Sequence, residues 1–185
     1  MRIIDLSVER VQYPMRRPFA SARRAASVAE NVHVRVRLAT GATGYGEGSP
    51  APYVTGETLD SVARDAALAA DVLLDRDARR VREWGACLAE AIPGATARCA
   101  VECAVLDALA RALGLPLWQW FGGATDRVQS DFTLTLAPPA EVARFAAEAR
   151  AAGYRILKIK VGTDPDEDEA RVRAIAGAVD RKSVV

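Results

Sequence analysis

At 185 residues, 50% hydrophobic and 26% charged, the chain has a globular composition with room for one good core, or for one domain and part of another. It is too short for a complete eight-fold barrel, which takes about 250 residues. With 25 basic against 24 acidic residues and a formal net charge of +1, it carries no global field to draw in nucleic acid or an anionic membrane; its apolar stretches are broken by charges, as from Asp65 to Leu74, so no bilayer span can be drawn.

Met1 leads directly into a strand-like pattern without a charged-then-apolar leader, and a cytoplasmic location is expected. Ile3 to Val11 and Asn31 to Leu38 alternate, and Thr40-Gly41-Ala42-Thr43-Gly44 turns the chain into a third short strand at Tyr45 to Glu47, which predicts an antiparallel meander. Arg16, Arg17, Arg23 and Arg24 form the one local basic cluster and read as a solvated loop. His33 alternates with Val32 and Val34 on the face of Arg35 and Arg37; it is expected to face solvent, and one histidine makes neither a metal site nor a triad. Gly44, Gly46 and Gly48 resemble a phosphate loop only superficially, because no lysine follows and the next residues are Ser49-Pro50-Ala51-Pro52.

From Glu57 the period becomes helical, with Leu59, Val62, Ala63, Ala66, Ala70 and Leu73 on one face. A second helix is expected from Ala78 to Ala91, stopped before Pro93-Gly94, and a third from about Thr96 to Leu113, closed by Gly114 and Pro116. Cys87, Cys99 and Cys103 lack metal-ligand spacing and read as reduced, small core residues.

After Gly122-Gly123 come a strand at Asp131 to Leu136 and a helix opened by Pro138-Pro139, with Val142, Phe145, Ala146 and Ala149 inward and Gly153 at its end. A strand at Arg155 to Val161 follows, then a helix announced by Asp164-Pro165 with Glu167 three residues after the aspartate; its inner face is Val172, Ile175 and Val179. Two successive strand-helix units imply parallel strands joined by helical crossovers. The chain ends at Asp180 to Val185, where a third strand is expected, and a two-stranded parallel sheet cannot cover its own faces.

Lys158-Ile159-Lys160 is the segment with chemistry in it. Alternation along a strand points both lysines to one face and Leu157, Ile159 and Val161 to the other. Two ammonium groups side by side repel, and on an enclosed face repulsion and desolvation both favour the neutral amine, a usable base. An arbitrary K-x-K is more often an edge strand with its lysines in water.

Meander, helical bundle and strand-helix units with K-x-K on the second strand together resemble the enolase superfamily, specifically its mandelate racemase/muconate lactonizing enzyme subgroup. The resemblance rests on Ala100-Val101-Glu102-Cys103-Ala104-Val105-Leu106-Asp107-Ala108-Leu109, on Leu113-Gly114-Leu115-Pro116-Leu117-Trp118 through Phe121-Gly122-Gly123, and on Leu157-Lys158-Ile159-Lys160-Val161-Gly162. It implies an α+β capping domain (antiparallel meander plus helical bundle) at 1–125 and, at 126–185, the first two β/α units of an incomplete (β/α) barrel. Within the subgroup the chain is most similar to dipeptide epimerases of the L-Ala-D/L-Glu type. Pro18-Phe19 with Arg24 matches their substrate-covering loop, whose arginine pairs with a distal glutamyl carboxylate; Val54 stands where they place an aliphatic residue against substrate, and Thr133 where the first barrel strand lines the site.

By the same resemblance Lys160 is the acid/base at the α-carbon, Lys158 adds positive charge beside the carboxylate, and the cofactor is Mg2+. The partner is a small-molecule substrate, a dipeptide or another carboxylate, with no nucleic acid and no membrane; a homo-oligomer is left open. The family's metal-holding carboxylates, which begin in an Asp-Ala-Asn segment, its second lysine and its acidic pair for the dipeptide ammonium have no match in these residues, and Asp164, Asp166, Glu167 and Asp168 are expected to face solvent at a helix start instead. The expectation is therefore an N-terminal fragment that is catalytically silent alone and whose exposed strand edges favour aggregation. The same scaffold also serves muconate cycloisomerisation, succinylbenzoate synthesis and N-acyl amino acid racemisation, and a non-catalytic association module is the reading from another class.

Overall fold

The computed structural model describes residues 1–22 and 24–179, with the side chain of Arg24 outside the described set. The third strand expected beyond Asp180 falls outside the described residues. Contacts divide the chain into two units: Met1–Tyr13 with Glu30–Asp126, and Pro14–Ala29 with the residues from Arg127 onward.

The meander forms as β1 (Ile3–Ser21), β2 (Arg24–Leu38) and β3 (Thr43–Gly48), paired in that order. β2 and β3 are antiparallel, with His33 opposite Glu47 and Val36 opposite Gly44. Gln12 donates to Glu30 and Arg35 to Ser7, so β1 and β2 also run in opposite directions. Both strands reach well beyond the limits that alternation predicts. Arg16 and Arg17 lie in β1, not in a solvated loop; Tyr13 to Ala29 carries no apolar alternation because none of its described side chains is fully buried, so pairing alone extends it.

The alternation that is legible does its expected work in the first unit. Val32, Val34, Val36 and Leu38 are fully buried and meet α2 (Leu59–Leu73), α3 (Val81–Ala91) and α4 (Ala95–Ala112) around Leu73, Trp84, Leu88, Val101, Val105 and Leu109. A single exposed turn, α1 (Pro52–Thr55), precedes α2, and another, α5 (Leu117–Trp120), follows α4. The glycines of β3 owe their identity to this packing. An added Cβ would lie 1.9 Å from the Ala100 carbonyl oxygen at Gly46 and 2.1 Å from the Ala108 nitrogen at Gly44, so they let β3 sit directly on α4.

Helix ends follow local chemistry. Thr58 and Ser61 form a reciprocal capping box that opens α2. Glu57, just outside it, accepts from the Thr96 amide at 3.0 Å and hydroxyl at 2.6 Å and so satisfies the first turn of α4. Burial pushes the Glu57 carboxyl up, but the hydrogen bonds, those from Thr96 foremost, leave it below the ordinary value. The helix expected from Ala78 begins at Val81, because the Ala78 amide is given to the Met1 carbonyl at 2.9 Å and its carbonyl to the Trp84 indole at 3.0 Å. The cysteines are not core residues: Cys99 and Cys103 are exposed and Cys87 is half-buried. The buried face of α4 is taken by Ala97, Ala100, Val101, Ala104, Val105 and Ala108, which leaves Cys99 and Cys103 off it.

In the second unit β4 (Asp131–Thr133) and β5 (Ile156–Lys158) pair in parallel, with α6 (Pro139–Ala151) and α7 (Pro165–Val179) between and after them. Leu134, Val142, Phe145, Ala146 and Ile175 form the core, and Leu157 and Ile159 pack against it. Both strands are shorter than expected. Beyond Leu134 the chain leaves the ladder because the Leu136 amide goes to the Ala20 carbonyl at 3.0 Å and the Thr135 hydroxyl accepts from the Ala20 amide at 2.7 Å. On α7 only Ile175 of the expected inner face is fully buried; Val172 and Val179 are half-buried, and Arg171, not among the expected inner residues, is 6% exposed. The architecture is thus the expected one, an antiparallel three-stranded α+β unit followed by a parallel two-stranded β/α unit. Among the described residues no helix is long and apolar enough to cross a membrane.

Candidate active site

The ends of the two parallel strands define the place where the sequence puts its chemistry. Thr133 and Lys158 are register partners at the last positions of β4 and β5, and the Leu134 amide donates to the Lys158 carbonyl at 2.8 Å. Leu157 and Ile159 turn toward the α6/α7 core, so Lys158 between them is carried off it on the face shared with Thr133. Lys158 is exposed and Lys160 half-buried. Lys160 itself lies outside the strand, which closes at Lys158, and Val161 is 55% exposed instead of lining the apolar side. The reason is Gly162, whose φ of +106° turns the chain away and whose amide is taken by Asp168 at 2.6 Å.

Phe19 and Thr133 line a common cavity of about 640 Å³, together with Met15, Arg17, Phe145 and Tyr154. Lys158 and Lys160 do not contribute to its wall. Within it Arg17 pairs with Glu148 and lies 4.5 Å over the Phe145 ring. The Arg17 guanidinium holds the Glu148 carboxyl below its ordinary value. Arg17 is thereby committed to the protein, a role that the reading of the basic cluster as a solvated loop missed. Arg24 opens β2, and its side chain lies outside the described residues. Val54 belongs to the other unit, on α1, where it is 69% exposed.

The acids at the start of α7 are occupied with their own helix and loop. Asp164 accepts from the amides of Asp166 and Glu167 at 3.1 and 3.0 Å, as its capping pattern predicts. Asp168 does not simply face solvent: it accepts from the Gly162 amide and, at 2.6 Å, from Arg171, while Glu167 also pairs with Arg171. The Gly162 amide is the largest influence holding the Asp168 carboxyl below its ordinary value. Among the described residues no three His, Cys, Asp or Glu side chains converge to hold a metal ion. The spacing of Glu167 and Asp168 to Arg171, four and three residues, is the signal that could have identified the arginine.

An α+β unit followed by parallel β/α units, with lysines at a strand's C-terminal end, defines a capping domain joined to the beginning of a barrel. The family model described as Mandelate racemase / muconate lactonizing enzyme, N-terminal domain, matches residues 3–122, and the chain belongs to this family of the enolase superfamily. It is 39% identical to an aromatic dipeptide epimerase of Herpetosiphon aurantiacus, over 92% of this chain and 48% of that protein. It is 34% identical to the L-Ala-D/L-Glu epimerase of Bacillus subtilis, over 95% of this chain and 49% of that one. The crystal structure of a dipeptide epimerase from Enterococcus faecalis, complexed with Mg and the dipeptide L-Leu-L-Tyr, superposes with a TM-score of 0.92 at 30% identity, covering 97% of this chain and 51% of that one. The chain spans about half the length of the curated relatives it matches.

Proposed function

We propose that this chain supplies the N-terminal part of a magnesium-dependent dipeptide epimerase that moves the proton α to a carboxylate, with residues 1–125 as its capping domain and 126–185 as the start of its barrel. Lys160 is the acid/base that takes and returns the α-proton. Lys158 adds positive charge beside the carboxylate, which stabilises the enediolate. Phe19, Thr133 and Val54 contact substrate, and Arg24 pairs with the distal carboxylate of a glutamyl residue through its planar fork.

What supports this reading is that Lys158 is the register partner of Thr133 at the C-terminal end of a parallel strand, where α/β architectures build their sites, with Lys160 two residues further on. The dipeptide epimerases among its relatives supply the substrate class, and the Mg-complexed structure supplies the metal. Asp164, Glu167 and Asp168 are engaged with their own helix and the loop before it, and by the family resemblance the metal's ligands sit on further barrel strands.

The test joins residues 1–179 to the remaining part of the Herpetosiphon relative and follows exchange of the α-hydrogen of L-Ala-L-Glu and of aromatic dipeptides in heavy water by NMR, with and without Mg2+. Magnesium-dependent exchange that Lys160→Ala abolishes is expected. Exchange that survives Lys160→Ala undiminished removes the assigned role. Arg24→Met is expected to lose glutamyl substrates and keep neutral ones.

A further inference from the structure

We infer that Asp168 and Arg171 are positioning residues for Lys160, an inference that deepens the catalytic reading above and rests on it. Lys160 sits two residues past the end of β5, beyond the described pairing with β4. Its segment is held at two points instead. Upstream, the Lys158 carbonyl accepts from the Leu134 amide at 2.8 Å; downstream, the Gly162 amide donates to Asp168 Oδ2 at 2.6 Å. Between these anchors Ile159 packs on the apolar core.

Asp168 is held in turn by Arg171. The guanidinium donates to Asp168 Oδ1 at 2.6 Å, to the Thr163 hydroxyl at 3.0 Å and to the Ala137 carbonyl at 3.0 Å, and it also pairs with Glu167. These bonds reach three segments: the exit of β4 at Ala137, the exit of β5 at Thr163, and the first turns of α7. Arg171 is 6% exposed, and burying a charge is costly unless it is fully bonded; an apolar side chain of similar volume often stabilises a core equally well. What the arginine adds over an apolar residue is direction. Its planar fork fixes the angles at which both strand exits leave the sheet. Gly162, at φ +106°, permits the turn but does not enforce it, so the enforcing group is the Asp168–Arg171 pair.

The chain contains only three lysines, Lys158, Lys160 and Lys182, so the 185-residue chain labelled with [13Cε]lysine gives three side-chain signals that single Lys→Arg variants assign. Arg171→Met is expected to move the Lys160 signal to the position of free lysine in the same buffer and to speed exchange of the Gly162 amide about tenfold, while the methyl signals of Val142 and Ile175 stay in place. Asp168→Asn, which keeps an acceptor for Gly162, is expected to displace the Lys160 signal less than Asp168→Ala does. Should Arg171→Met fail to fold, Asp168→Ala reads the same contact with the guanidinium present. An unmoved Lys160 signal with a protected Gly162 overturns the inference, and so does a common shift of lysine and core methyl signals, which would reduce the pair to stabilisers of the fold. Because the readout is the amine's placement and not turnover, it separates failure of the clamp from failure of the epimerase reading.

Discussion

Thr133 and Lys158 stand opposite one another as the last residues of two parallel strands, and their side chains share the face turned away from the α6/α7 core. An exposed lysine in that position has no packing duty. Lys158→Met is therefore expected to leave the urea midpoint of the chain unchanged, while in the joined protein described above it lowers the rate of α-hydrogen exchange about a hundredfold or more, the range expected when charge beside a developing anion is removed. A lowered midpoint with unimpaired exchange would make it a structural residue.

Gly46 and Gly85 are predicted to respond to alanine with opposite signs. At Gly46 the new Cβ lies 1.9 Å from the Ala100 carbonyl oxygen, a backbone atom of α4 that cannot yield without moving the helix. Gly46→Ala should cost about 1–3 kcal/mol or more. Gly85, within α3, has nothing within 4 Å of its added Cβ, and Gly85→Ala should stabilise by about 0.5–1 kcal/mol through helix propensity. Urea unfolding followed by far-ultraviolet circular dichroism measures both.

Asp77 links stability to pH. Hydrogen bonds from Arg79 foremost, and from the Met1 ammonium at 2.9 Å, hold its carboxyl far below the ordinary value of 3.8. A carboxyl depressed in the folded state favours folding once the unfolded chain's group is ionised, and that contribution is lost as pH falls through 3.8 toward the folded value. The stability gap between wild type and Asp77→Asn should be constant at neutral pH and narrow on acidification below 3.8, as read from urea midpoints across the acid range. A gap independent of pH would show that the carboxylate is not the group responsible.

The tip of the first hairpin is held by two separate contacts, the Ala20 backbone on Thr135 and Leu136, and Arg17 on Glu148 and Phe145. Thr135→Val removes the acceptor of the Ala20 amide, and hydrogen exchange at that amide should quicken several-fold. Arg17→Met should return Glu148 toward its ordinary 4.5 in an NMR titration. An unshifted Glu148 would place the cause of its depression in Arg144, which donates to the same carboxylate at 2.8 Å.

The sequence by itself determined the elements whose burial repeats at short range. Alternation of Val32, Val34, Val36 and Leu38 placed β2, the apolar positions of α6 placed its inner face, and Asp164-Pro165 opened α7, because each signal is a property of consecutive residues acting on their own backbone. It also brought Lys158 off the apolar core, since alternation needs no knowledge of the neighbouring strand. Tertiary structure decided what consecutive residues cannot encode: that β1 and β2 run on through polar residues, that Gly44 and Gly46 exist for α4 to approach, that Arg17 is spent on Glu148, and that Arg171 is buried. In each of these the partner lies on another element or a full helical turn away. The energy that selects the residue arises only when that partner arrives.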